Sequence, residues 1–151
     1  MKLRIELDPS LEEEEVLIRC RGLSDTVQKI GKAVETLSAE APRLGFFRDN
    51  EEFFFSPEQI LFFETDGDTV LAHTANDIYG TKLRLRELEE ILPRSFLRIS
   101  KSAILNTRHV LSISRNLTAA SLVQFQGSHK QVYVSRSYYH ALRERMDESR
   151  Y

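Results

Sequence analysis

The chain has one cysteine and no tryptophan among its 151 residues. The lone thiol, Cys20, excludes an internal disulfide and a cysteine-based zinc site. Its strand-like apolar surroundings predict a buried, inert side chain. Long apolar runs are also missing, so nothing approaches the roughly 20 residues that span a bilayer as a helix. The opening MKLRIELDPS has neither the apolar core nor the small-residue cleavage site of a secretory signal. Together these absences predict a cytoplasmic protein.

Catalytic signatures are absent too. There is no G-x-x-x-x-G-K-[ST], no G-x-G-x-x-G and no H-E-x-x-H. His73, His109, His129 and His140 lack ligand spacing. Glu64, Asp66 and Asp68 crowd the segment TDGD, but a type I′ hairpin turn accounts for them better than a calcium loop or a glycosidase carboxylate pair. No nucleophile-elbow context surrounds a serine. The expectation is a protein without enzyme activity, catalytic residues, cofactor or metal.

The most informative absence is local. No Asp or Glu occurs between Glu90 and Glu144, an interval that holds Arg94, Arg98, Lys101, Arg108, Arg115, Lys130, Arg136 and Arg143. Acids concentrate earlier, in EEEE at 12–15 and DNEE at 49–52, and the net charge is −2. That small net charge argues against an indiscriminate polyanion trap, whereas a basic second half suits a surface facing phosphate. A chance solvated face is the plain alternative.

Among the residues that are present, LRIELD (3–8) and EVLIRCR (15–21) alternate apolar and polar positions. They predict a hairpin across the polar turn PSLEEE. Val27, Ile30, Val34, Leu37 and Ala41 recur at helical spacing, with Ser24 or Asp25 as cap and Pro42 as stop. From Leu44 the pattern changes to short strands. LGFFRDNEEFFFS predicts two around Asp49-Asn50, and QILFFETDGDTVLAHTA two more around Asp66-Gly67. DIYGTKLRL continues the sheet. LRELEEILP predicts a short helix with Leu85, Leu88, Ile91 and Leu92 inward, stopped by Pro93. SFLRIS, SAILN, HVLSIS, ASLVQFQ and KQVYVS predict five further strands, with QGSHK as the last hairpin turn. SRSYYHALRERM closes as a helix capped by Ser135, with Tyr139, Leu142 and Met146 on one face. The expected fold class is mainly β with few helices, α+β overall. A small β-β-α extension at residues 1–50 precedes a β domain at residues 51–151.

Three ordered blocks in the last 100 residues resemble the LytTR family of bacterial DNA-binding domains. QILFFETDGDTVLAHT matches the family's strand with an aromatic-plus-Glu end, turn and second strand. LRLRELEEILPRSFLRISKSAILNTRHVLSIS matches its L-x-x-L helix followed by Phe, Arg, a polar pair, Ser, an aliphatic pair, Asn and a later Ile or Val. VYVSRSYYHALRE matches the closing strand, Ser-Arg and final helix. The resemblance implies an elongated, mainly β domain that reads double-stranded DNA from loops. The missing acids would then avoid repelling phosphate, in keeping with counterion release.

Position by position, the resemblance implies that Ser100 and Lys101 enter the major groove, where Lys donates to guanine O6 or N7 or to phosphate. Arg136 and Ser137 fall at a second reading loop. Asp68 and Thr69 fall near the first, where some members carry a basic or His residue; Asp68 departs from that pattern. Arg98, Arg115, Lys130 and Tyr138 are phosphate-contact candidates. Plainer roles stand beside these. Ser102 and Asn106 satisfy backbone groups, and Arg98 covers Phe96. Tyr138 and Tyr139, adjacent on a helix, point different ways, with Tyr139 in the core.

The first 50 residues are too few for a receiver domain. They resemble the extension of stand-alone LytTR proteins, which implies a small integral membrane protein as a restraining partner. Glu12 to Glu15 and the outer face of the 24–41 helix are the candidate contacts, or else the extension caps a sheet edge. The aromatic runs at 46–47 and 53–55 pack the extension onto the sheet or form a dimer contact. The expected function is sequence-specific transcriptional regulation by a homodimer whose two copies engage repeats about one helical turn apart. The rival is a protein-interaction module that binds a membrane-embedded partner, with the β domain as scaffold.

Overall fold

The computed structural model describes residues 1–12, 14–38 and 43–148. The chain divides into two compact units, Met1–Glu40 and Ala41–Tyr151.

In the first unit the described residues form one helix, α1 (Asp25–Ser38). Ser24 Oγ accepts the Val27 N–H at 3.3 Å, which makes Ser24 the cap. Pro42, the expected stop, lies outside the described residues. The expected hairpin is not formed: residues 3–8 and 15–21 contain no strand, and Leu3, Ile5, Leu7, Val16 and Leu17 are exposed. The register that would align their apolar residues, Leu7 opposite Val16 and Ile5 opposite Ile18, also sets Asp8 on Glu15 and Arg4 on Arg19. Like charges directly opposed are unfavourable, and a lone two-stranded ribbon is marginal in water. Cys20 is exposed, not buried, in a segment that forms no strand.

The second unit holds ten strands, all paired antiparallel, and two helices. They are β1 (Leu44–Arg48), β2 (Glu51–Phe55), β3 (Phe62–Asp66), β4 (Thr69–His73), β5 (Ile78–Thr81), α2 (Leu85–Ile91), β6 (Phe96–Ser100), β7 (Ala103–Asn106), β8 (Val110–Ser114), β9 (Ser121–Phe125), β10 (Gln131–Val134) and α3 (Arg136–Glu148). One sheet has the order β2-β1-β5-β4-β3-β7-β6, the other β10-β9-β8. The fold is mainly β, as the alternation and turn spacing predict.

Phe62 and Phe63 are neighbours in β3, both buried, and face opposite sides of the large sheet. Phe63, with Phe46, Ile104, Leu85 and Leu88, packs under α2. Phe62, with Ile99, Leu105, Phe125, Val134 and Leu142, fills the layer against the small sheet and α3. Ile91 points outward and is 44% exposed, because α2 is only two turns long and shows the core Leu85 and Leu88. Tyr138 and Tyr139 are both half-buried against the α3 core, so neither faces away from it.

Turn chemistry sets the registers. Asp49 and Asn50 both have positive φ, 50° and 66°, as a two-residue type I′ turn requires. In the β3–β4 turn only Gly67 does, at 61°, and Asp66 pairs with Thr69. Gly67 and Asp68 are therefore the central pair of a type II′ turn and not of the expected I′ turn. Gly80 is required for another reason: the Phe47 ring lies over it, and a Cβ there would meet that ring at 2.3 Å. Phe46, Phe53 and Phe55 gather around Tyr79 on the core side, with Phe46 and Phe55 stacked at 4.3 Å.

Candidate nucleic-acid interface

The β6–β7 turn carries the first group of candidates, and local chemistry explains its shape. The β6–β7 register shifts between Arg98 and Ser100, leaving Ile99 in a bulge. A bulged residue drops out of the ladder, and the Ile99 carbonyl instead accepts the Ser135 N–H at 2.9 Å. That bond ties the turn to the start of α3. On the other side, Thr65 N–H donates to Ser102 O at 2.9 Å, which ties the turn to the β3–β4 hairpin. Three segments therefore meet at one end of the unit: the hairpin tip 66–69, the turn 100–102 and the start of α3.

Lys101 is exposed at the centre of this group, and Arg136 and Ser137 are exposed on the first turn of α3. Among the described residues, neither the Lys101 ammonium nor the Arg136 guanidinium has a hydrogen-bond or ion-pair partner. The helix N-terminus beneath Arg136 adds partial positive charge. Ser100 Oγ accepts the Ser102 N–H at 3.1 Å and stays half-buried. Thr69 is half-buried at the hairpin, beside the exposed Asp68. Arg115 follows β8, with its guanidinium 4.8 Å from the centre of the Tyr139 ring on α3. The same end includes the 116–120 connection: Asn116 N–H donates to Ser121 Oγ, and Ser121 pairs with Val134 just before Ser135. Sequence reasoning passed over that loop because it carries no charge.

Arg98 has a different place. Its guanidinium donates to Ser100 O at 2.8 Å and Lys101 O at 2.5 Å, and pairs with Glu89 of α2 at 3.2 Å. It braces the turn from behind. The bracing acid, Glu89, lies outside the acid-free interval, so sequence order gave no sign of it.

Lys130 lies at the far end of β4 from Thr69, about 13 Å along an extended strand. Its ammonium donates to Asp77 O at 2.7 Å and meets His73 Nδ1 at 3.3 Å. His73 Nε2 is 2.7 Å from Glu64 Oε1, and its ring stacks on Phe62 at 4.3 Å. With Lys130 donating to Nδ1, the imidazole is neutral and its Nε2–H donates to Glu64. Burial holds the His73 pKa below its ordinary 6.5, opposed by Glu64. Burial likewise lowers that of Lys130, against the pull of Asp77 and Glu64. The pairing of Phe62 with His73 places Glu64 diagonally beside the ring, so the contact follows from the Gly67 turn.

Asn106, expected to serve the backbone, does so. Its amide donates to Ile60 O at 3.0 Å, and its Oδ1 accepts the Arg108 N–H at 3.2 Å. Among the described residues, no three of His, Cys, Asp and Glu come together as metal ligands, and no helix is long and apolar enough to cross a membrane.

Residues 50–147 match the LytTr DNA-binding domain family. Uncharacterised HTH-type transcriptional regulators of Staphylococcus aureus, from strains NCTC 8325 / PS 47 and COL, are each 30% identical over 146 residues. In both, the match covers 97% of this chain and 98% of the relative. In this chain the second unit's two helices are separated by five strands, so they form no helix-turn-helix. The LytTr DNA-binding domain of a putative methyl-accepting/DNA response regulator from Bacillus cereus has the same fold, at a TM-score of 0.64 and 20% identity. The match spans 71% of this chain and 98% of that one. With a family match across most of its second unit, the chain belongs to the LytTR family of DNA-binding domains.

Proposed function

We propose that this chain is a sequence-specific, DNA-binding transcriptional regulator that reads the major groove of double-stranded DNA from loops. The observation that carries this reading is the placement of two unpaired cations, Lys101 and Arg136, on segments locked together by the Ser135–Ile99 hydrogen bond. Ser100, Lys101, Arg136 and Ser137 read base edges. Arg115 and Tyr138 contact phosphate, with Thr69 at the flank. Arg98 holds the loop, and Lys130 stays outside the interface. Residues 51–151 carry the DNA contacts, and residues 1–50 serve partners. The protein acts in the bacterial cytoplasm without catalysis. One unit buries on the order of 600–1,000 Å² of its own surface on DNA, which alone gives modest affinity. Two copies of a homodimer engage neighbouring repeats, and a small integral membrane protein restrains the chain through residues 1–50. Family membership favours this reading over the scaffold alternative.

Selection from random duplex DNA, followed by titration of the enriched sequences at several salt concentrations, tests the reading. The expected result is a defined motif whose affinity falls steeply with salt. No enrichment, with only weak binding common to all duplexes, would overturn it.

A further inference from the structure

Residues 2–8 read Lys-Leu-Arg-Ile-Glu-Leu-Asp. Leu3, Ile5 and Leu7 are 91%, 77% and 92% exposed, and this segment has no strand partner among the described residues. Its charges are ordered: Lys2 and Arg4 precede Ile5, Glu6 and Asp8 follow it. Arg4 and Glu6 already lie on one side, 2.5 Å apart.

That order is self-complementary. Two copies laid antiparallel with Ile5 opposite Ile5 put Leu3 on Leu7, Arg4 on Glu6 and Lys2 on Asp8, each twice. Other registers fail. A parallel, in-register pair sets every charge on its like. A one-residue slip puts apolar side chains among the charges. A two-residue slip centres either Glu6 on Glu6 or Arg4 on Arg4. The intramolecular partner, residues 15–21, opposes like charges as described above. Opposite charges and apolar pairs across an antiparallel ladder each favour pairing, and like charges oppose it.

We propose that residues 2–8 form an antiparallel strand pair with the same residues of a second copy of this chain. This deepens, and rests on, the homodimer in the proposed function by naming its contact. Each copy brings cover for the resulting apolar face: α1 carries the half-buried Val27, Ile30 and Val34 on one stripe, and a two-stranded ribbon needs such cover.

Sedimentation of the full chain over a dilution series, without DNA, tests this. Lys2→Glu with Arg4→Glu makes the segment wholly acidic, and Glu6→Lys with Asp8→Lys makes it wholly basic. Each double variant should weaken self-association by about tenfold or more. An equimolar mixture of the two should associate again as a heterodimer, and all four substitutions in one chain should restore the homodimer. These side chains are exposed, and circular dichroism would confirm that the fold is kept. A wild-type chain that stays monomeric overturns the proposal. So does equal association of every variant, which would move the contact to another surface, such as the open edge of β2. Binding of each variant to a duplex with a single site is measured in parallel. Failure of the wild type and of every variant to bind DNA, with the charge-swap pattern intact, would sink the DNA reading and leave the pairing standing; loss of the charge-swap pattern with DNA binding kept would do the reverse.

Discussion

Lys101 and Lys130 come from the same acid-free interval and end in opposite surroundings. The Lys101 ammonium is exposed on a turn whose carbonyls are already bound by Arg98. The Lys130 ammonium is held between a carbonyl and an imidazole, at the other end of β4. Whether a cation is available to a ligand depends on which acceptors the fold brings to it. Neighbours in the chain do not decide it. The local absence of acids is likewise only a sequence property: tertiary structure brings Glu89 to Arg98, and the Thr65–Ser102 bond ties the acid-bearing β3–β4 hairpin to the turn of Lys101.

Substitution of the two lysines should widen this contrast most. Lys101→Ala is expected to cost about 1–3 kcal/mol of specific DNA affinity if the side chain reads a base. Lys130→Ala should leave that affinity within about 0.5 kcal/mol. Equal losses in a binding titration would erase the distinction. Arg98 comes next. Arg98→Gln should lower specific affinity by about 1 kcal/mol, through the loosened turn, while the slope of log affinity against log salt stays unchanged. A slope shallower by about one contact would make Arg98 a phosphate ligand instead.

The smallest effect belongs to the buried end. His73 has a lower pKa folded than unfolded, through burial. The unfolded chain therefore binds more protons just below pH 6.5, and stability falls as pH drops through that value until folded His73 also protonates. Protonated Nδ1 would face the Lys130 ammonium, with Glu64 alone on the opposite nitrogen and the Asp77 carboxylate engaged by Arg48. Urea midpoints measured between about pH 8 and 5 should decline in the wild type, and His73→Gln should flatten that decline. Parallel declines in both proteins would assign the titration to other groups.

Much of the second unit is legible in the sequence because each strand there meets a partner with a buried face. The Asp49-Asn50 and Asp66-Gly67 turns announce their hairpins, and the five strands after Pro93 fall where alternation puts them. The same alternation at residues 3–8 and 15–21 misleads, since a period of two states which side chains could be buried and nothing about what would bury them. The candidate site divides in the same way. Lys101 and Arg136 are visible as bases without acids nearby. The roles of Arg98 and Lys130 are not, because their partners stand 9 and 57 residues away in the chain.

By itself, then, the sequence determined the strand pattern and hairpin positions of the second unit, the family and the stretch where cations go without local acids. These are properties of neighbours along the chain, where φ preferences and side-chain period act directly. Only the tertiary structure decided which of those cations stay free, since carbonyls and carboxylates from distant strands must arrive before a guanidinium or ammonium is held. It also decided that three loops share one end, through the two backbone hydrogen bonds at Ile99 and Ser102.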